Sequence, residues 1–221
     1  MPKVGRIAVT LALLAAVAGG LAFAGVSLTS QPVSVAYSAS PGQPVEVTMQ
    51  TDGSYGHGIH QTWVSYMTRS PDGQWLHTTT WQVPAHTRID VTIYQYDSGS
   101  PLRNQQIGQV QGTIGDVATL NGKTFSVINA NAGNGVGHTF SMPSLGINVP
   151  LFGNNPNANL CSAGPCTTSS PHNIIKFSFV SPGPGSYPWQ CFVPCALGFL
   201  YGNGGPMQTV GWMDGFMKVV A

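Results

Sequence analysis

The side chains of this chain with the widest chemical reach are sulfur and imidazole. Four cysteines fall in two close couples, Cys161-x4-Cys166 and Cys191-x3-Cys195. Imidazoles stand at His57, His60, His77, His86, His138 and His172, and thioethers follow the second couple at Met207 and Met213. Two chemistries are open to such a set. Cysteines in an oxidising compartment pair as disulfides. Thiolate, imidazole and thioether together instead suit a soft transition-metal ion, in a scaffold rigid enough to hold the ligands still when the ion changes oxidation state. The couples differ in their surroundings. Cys161 and Cys166 bracket Ser-Ala-Gly-Pro between an Asn-rich loop and Thr167–Ser170, which reads as a loop with a local disulfide. Cys191 and Cys195 lie in Tyr187-Pro-Trp-Gln-Cys-Phe-Val-Pro-Cys at the end of a strand signal, where a disulfide and a ligand pair both remain open. His57-Gly-Ile-His60 is a permissive but unspecific spacing for Cu(II) or Zn(II), and His77 and His86 read as surface residues.

The elements that must position these groups are strands. Val33–Tyr37, Val45–Met49 and Ile89–Tyr96 alternate with period two, the last placing Ile89, Val91 and Ile93 on one face. Trp81–Pro84, His138–Pro143, Leu145–Phe152, Asn173–Val180, Tyr187–Cys191 and Phe216–Val220 also read as extended, while Gln61–Arg69 suits either a strand or one or two helical turns. Residues 98–137 read as an insertion with hairpin character, its strands at Gly108–Ile114 and Thr124–Ile128 and its turn at Asn121-Gly122. Gly 28 and Pro 17 supply turns throughout, and no long amphipathic helix follows the N-terminal segment. The pattern predicts an all-β sandwich or barrel.

Composition narrows the function. Only 7% of the 221 residues are charged, against ~25% in an ordinary soluble domain, and the formal net charge is +1. No basic field exists to hold a nucleic acid. Seven scattered carboxylates leave little for a paired-carboxylate hydrolase, and no phosphate-binding Gly-Lys-Ser/Thr loop, His-Glu-x-x-His or Gly-x-Ser-x-Gly elbow occurs. So few acidic groups also tie little of the stability to acid pH, which is the expectation for a domain working in an acidic extracellular medium.

At the N-terminus, Lys3 and Arg6 precede an uncharged stretch, Ile7–Leu28, long enough to span a bilayer of ~30 Å hydrocarbon thickness. Ala22-Phe23-Ala24 equally fits a signal-peptidase site. Residues 1–30 are therefore expected to be a membrane anchor or a cleaved signal, with the rest exported to the outer face of the membrane or secreted. The organisation expected beyond them is an N-terminal β and loop extension over 31–80 and a main domain over 81–221.

From Trp81 onward the order of elements resembles the cupredoxin superfamily, especially the exported domain of cytochrome c oxidase subunit II and its relatives. Four pieces carry the resemblance: Gln82-Val-Pro-Ala-His-Thr-Arg-Ile-Asp-Val-Thr-Ile, His138-Thr-Phe-Ser-Met-Pro, Phe177-x-Phe-x-x-Pro-Gly-x-Gly-x-Tyr-x-Trp-x-Cys191, and Met213-Asp-Gly-Phe-Met-Lys-Val-Val. The resemblance implies a Greek-key β-sandwich holding copper. Its ligands would be His138 and Cys191, with Cys195 as a variable fourth, Met213 axial and Met207 in reserve. The chain departs from the pattern at one ligand. No His lies between Cys191 and Met213, and the places after Cys195 where a dinuclear oxidase site has His and Met hold Phe199 and Gly202. Either Cys195 stands in that place, or a distant imidazole, His172, His57 or His60, fills the gap. Trp189, two residues before Cys191, reads either as a core residue or as a bridge from site to surface. The implied function is a membrane-tethered carrier of single electrons, a component or donor of a respiratory oxidase rather than an enzyme by itself, with a redox protein as partner. A metal-free structural module and a Cu(I) carrier are the alternatives.

Overall fold

Period-two alternation becomes two packed sheets. The structure, a computed structural model, describes residues 3–29, 33–40, 42–58, 60–195 and 205–221. One sheet runs, in spatial order, β1 (Ser34–Ala36), β5 (Thr80–Pro84), β13 (Asp214–Val220), β12 (Gly185–Gln190), β9 (Val136–Met142) and β10 (Ile147–Phe152). The other runs β4 (Trp75–Leu76), β3 (Ser65–Arg69), β2 (Val45–Asp52), β6 (Arg88–Gln95), β11 (Asn173–Val180), β7 (Ala118–Leu120) and β8 (Lys123–Phe125). The architecture is the predicted β-sandwich. Residues 33–80 contribute strands to both sheets and belong to the same compact unit as the rest of Val33–Ala221.

Register explains why the core is continuous. β2 pairs parallel with β6, Val45 beside Ile89, Val47 beside Val91 and Met49 beside Ile93. β11 pairs antiparallel on the other side, so Phe179, Phe177 and Ile175 extend the same three rows. All nine side chains are buried, and each contributes about 1.5–3 kcal/mol through removal from water. The facing sheet brings aromatic rings. Phe140 of β9 stacks on Trp189 of β12 at 4.9 Å and meets Phe177 at 5.3 Å, and Tyr66 of β3 meets Trp189 edge-on at 5.0 Å. Trp189 is fully buried and donates its indole N–H to the Thr79 carbonyl, which makes it a core residue and not a bridge to the surface.

The insertion differs in part from its prediction. Asn121-Gly122 does turn a hairpin, with φ of 49° and 83°, but the strands it joins are the short β7 and β8. Gly108–Ile114 is not a strand: a 3-10 turn covers Gln105–Gly108, and Gly112 and Gly115 take φ of 70° and 76°, which extended backbone does not allow. Within 61–69 the helical alternative is lost, since β3 occupies Ser65–Arg69.

The N-terminal segment is a separate unit, the helix α1 (Lys3–Thr29). Leu11, Leu13, Leu14, Val17 and Leu21 are exposed. Among the described residues no helix is long and apolar enough to cross a membrane, so the expected anchor over residues 7–28 gains no support from the structure.

Candidate metal centre

Strand periodicity aims the first two donors at each other. Along β9, Val136, His138, Phe140 and Met142 share the core-facing side, and along β12 Trp189 and the following Cys191 do the same. Because β9 and β12 are neighbours in the sheet, the His138 ring and the Cys191 sulfur meet at the same end of the core. Cys191 is anchored where its strand ends: its N–H donates to the Met213 carbonyl at 2.9 Å, and its sulfur accepts the Thr139 N–H at 3.4 Å. The turn that follows brings Cys195 back beside it.

His138 Nδ1 lies 3.1 Å from Cys195 Sγ and 3.8 Å from Cys191 Sγ, and the two sulfurs are 3.5 Å apart and unbonded. All three residues are buried, and among the described residues they form the one cluster of three ligating groups. Metal–sulfur and metal–nitrogen bonds of ~2.3 and ~2.0–2.1 Å, as at tetrahedral zinc, leave donors on one ion roughly 3–4 Å apart. The triangle here has those dimensions. Two thiolates and one imidazole in a water-poor pocket are a donor set for copper, and the residues present fit that ion. The Val193 carbonyl also points into the cluster, 3.0 Å from Cys195 Sγ and 3.6 Å from Cys191 Sγ.

Electrostatics divide the roles of the two sulfurs. Burial opposes charge on Cys191, but hydrogen bonds from Cys195 and His138 hold its thiol well below the usual range. The Cys195 thiol is pushed up by its bond to Cys191 and by burial. Burial also opposes charge on His138, but hydrogen bonds to Asp97 and Cys191 outweigh it and lift the ring to about 9. Before any metal arrives, the pocket thus favours negative charge on the Cys191 sulfur and positive charge on the His138 ring. A metal would displace those protons, so binding couples to proton release.

Asp97 was not legible as a site residue. It follows the end of β6, and its Oδ2 accepts from His138 Nε2 at 3.1 Å. That contact leaves Nδ1 as the nitrogen facing the sulfurs. Tyr66 was also missed. Its hydroxyl donates to the Thr139 carbonyl at 2.9 Å, and burial, followed by the nearby Cys191 and Cys195, raises it well above its ordinary value.

The proposed thioethers lie in the neighbourhood. Met213 is fully buried, and its peptide is tied to Cys191; Met207 is buried, and its carbonyl accepts from Gln190 Nε2 at 2.8 Å. Phe199 and Gly202, at the positions where the resemblance lacks its ligands, lie outside the described residues. The distant imidazoles do not join the cluster. His172 Nδ1 contacts the Ser170 carbonyl at 2.8 Å, and its ring faces Tyr94 and Tyr96. His60 stacks on Trp63 at 3.7 Å, and His57 meets Tyr55 edge-on; among the described residues neither joins a cluster of three ligating groups. His77 is not the unpartnered surface residue expected. It is half-buried, stacks on Tyr55 at 3.7 Å and contacts Ser65 Oγ at 2.9 Å. Trp212 packs at the centre of these rings, one residue before Met213.

The first couple behaves as expected: Cys161 and Cys166 form a disulfide.

No protein-family model and no curated protein sequence matches the chain. Among solved structures it is similar to the copper protein rusticyanin, at 14% identity over 84% of this chain and 82% of that one with a TM-score of 0.34. It is similar to reduced rusticyanin at 16% identity, 84% of each chain and a TM-score of 0.34. Against rusticyanin from Thiobacillus ferrooxidans the identity is 14%, the coverage 84% and 82%, and the TM-score 0.29. Superposition this loose assigns no residue of the site, and the chemistry rests on distances within this chain.

Proposed function

We propose that the domain is a copper protein of the cupredoxin type that carries single electrons. His138 Nδ1, Cys191 Sγ and Cys195 Sγ would hold the ion, with the Met213 thioether as a further ligand and Met207 in reserve. The observation that carries this reading is the triangle of one imidazole nitrogen and two unbonded sulfurs, buried where β9 meets the turn after β12. Such a scaffold keeps the ligands nearly fixed when the ion gains or loses an electron. Residues 7–28 tether the domain to the outer face of a membrane, or direct its secretion if cleaved, and its partner is a redox protein or a respiratory oxidase complex like that served by subunit II. Protein made with copper present should bind one equivalent and show intense thiolate-to-metal absorption. Cys191→Ala should abolish both, and their persistence would refute the assignment.

The two sulfurs favour one competing use. Paired thiolates suit Cu(I), so a Cu(I) carrier would bind the ion tightly without cycling it. Reversible oxidation and reduction of the bound copper in a voltammogram separates the carrier of electrons from the carrier of metal.

A further inference from the structure

Among seven acidic residues in the whole chain, one is aimed at the metal centre. Asp97 is fixed by four links besides His138. Its N–H donates to Gln95 Oε1 at 3.2 Å, its carbonyl accepts from the Asn154 N–H at 3.0 Å, and its Oδ1 accepts from the N–H of Ser98 at 2.7 Å and from Ser98 Oγ at 3.5 Å. Two glycines let the backbones come this close. A Cβ on Gly137, next to His138, would stand 2.2 Å from Gln95 Nε2 and 2.7 Å from the Ser98 carbonyl, and one on Gly53 would stand 3.0 Å from Asp97 Oδ1. The carboxylate faces a cleft of about 510 Å³, and its side chain is 26% exposed where that of His138 is 2%. Water can therefore solvate the charge from one side, while the imidazole behind it stays dry.

Resting on the copper reading, we propose that Asp97 is the positioning residue of the site. It holds the proton of His138 on Nε2, so that Nδ1 alone is offered to the ion. Its full negative charge, carried through the ring, biases the bound copper towards its oxidised state. A neutral acceptor such as a backbone carbonyl would orient the ring equally well, so the charge is the part that a purely structural role leaves unexplained. The hydrogen bond from Asp97 to the site runs to His138 Nε2, so its positioning role acts through that ring.

Two variants separate orientation from charge. Asp97→Asn keeps an acceptor for Nε2–H and loses the charge. It should still bind one copper, with a midpoint potential above that of the unaltered protein. Asp97→Ala removes the acceptor too and should weaken copper retention against a chelator by about 10–100-fold, a loss that Asp97→Asn largely restores. An unchanged potential in Asp97→Asn, or undiminished retention in Asp97→Ala, overturns the proposal. The metal-free protein gives a readout independent of copper. The Nε2 proton of His138 should appear as a slowly exchanging, downfield resonance in the unaltered chain and in Asp97→Asn, and vanish in Asp97→Ala. If the unaltered chain takes up no copper, the functional reading fails, and this resonance still decides: its persistence in Asp97→Ala overturns the positioning role, and its selective loss supports it.

Discussion

Cys161–Cys166 and Cys191–Cys195 are near-equal in spacing and opposite in outcome. The first couple lies in a polar loop with its Cα atoms 5.9 Å apart and is joined. The second keeps its sulfurs 3.5 Å apart, with the His138 ring on one side and the Thr139 N–H and Val193 carbonyl on the others. Proximity alone would have closed both. Both couples have a backbone carbonyl beside their sulfurs, Ala163 in the first and Val193 in the second, but only the second has an imidazole and a backbone N–H as well, and these favour charge on the Cys191 sulfur. What surrounds a cysteine couple, more than its spacing, decides between a covalent staple and a ligand pair.

Substitutions can break that comparison, and the largest effect should be all-or-none. Cys191→Ala should eliminate copper and its absorption, while Cys161→Ser should leave both in place. Equal losses in the two variants, read by metal analysis, would mean that the couples are not specialised. Next is the packing behind the ligands. Phe140 is two residues along β9 from His138 and stacks on Trp189, two residues before Cys191. Phe140→Ala should cost about 3–5 kcal/mol in urea unfolding and loosen the ligand pocket as well. A cost below 1 kcal/mol would show that the two strands are not braced there.

The disulfide loop also covers a buried acid. Asp52 is fully buried, neither carboxylate oxygen has a partner, and a Cβ on Gly164 of the loop would touch it at 2.3 Å. Burial, aided by the charge of Asp97 and opposed by His138, pushes the Asp52 carboxyl up to about 8. A folded value above the unfolded ~3.9 means the folded state holds its proton more tightly. The stability this gives is fully present below ~4 and is lost as pH rises through about 8. Asp52→Asn should therefore flatten the fall in urea midpoint between pH 5 and pH 9 and gain a few kcal/mol at the alkaline end. Parallel curves for the two proteins would remove Asp52 from the account.

The smallest effect expected is that of the staple itself. Opening the short Cys161–Cys166 ring with paired serines should cost about 2 kcal/mol by the chain-entropy relation. Copper retention should not change. A loss of copper would show that the loop also braces the metal centre, through the Cys166 N–H that donates to Gln50 Oε1.

Much of this was legible from residue order. Alternation located β6, β11, β12 and β13, because burying one face of a strand leaves a period-two trace. The same periodicity put Cys191 with Trp189, while His138-x-Phe140 was marked by the resemblance. The short strands β7 and β8 were misplaced because the glycines that interrupt 108–115 read equally as hairpin residues. Asp97 left no trace, since a lone acid after a strand has no spacing that ties it to a histidine 41 residues away.

The order of amino acids by itself determined a charge-poor β-sandwich with its cysteines gathered late in the chain. Local covalent periodicity carries that information. Only the tertiary structure decided which couple is bonded, which ring nitrogen faces the sulfurs, and that His57, His60 and His172 stay elsewhere. Those outcomes depend on which backbone ends meet across two sheets, and on the hydrogen bonds and burial that arise once they do.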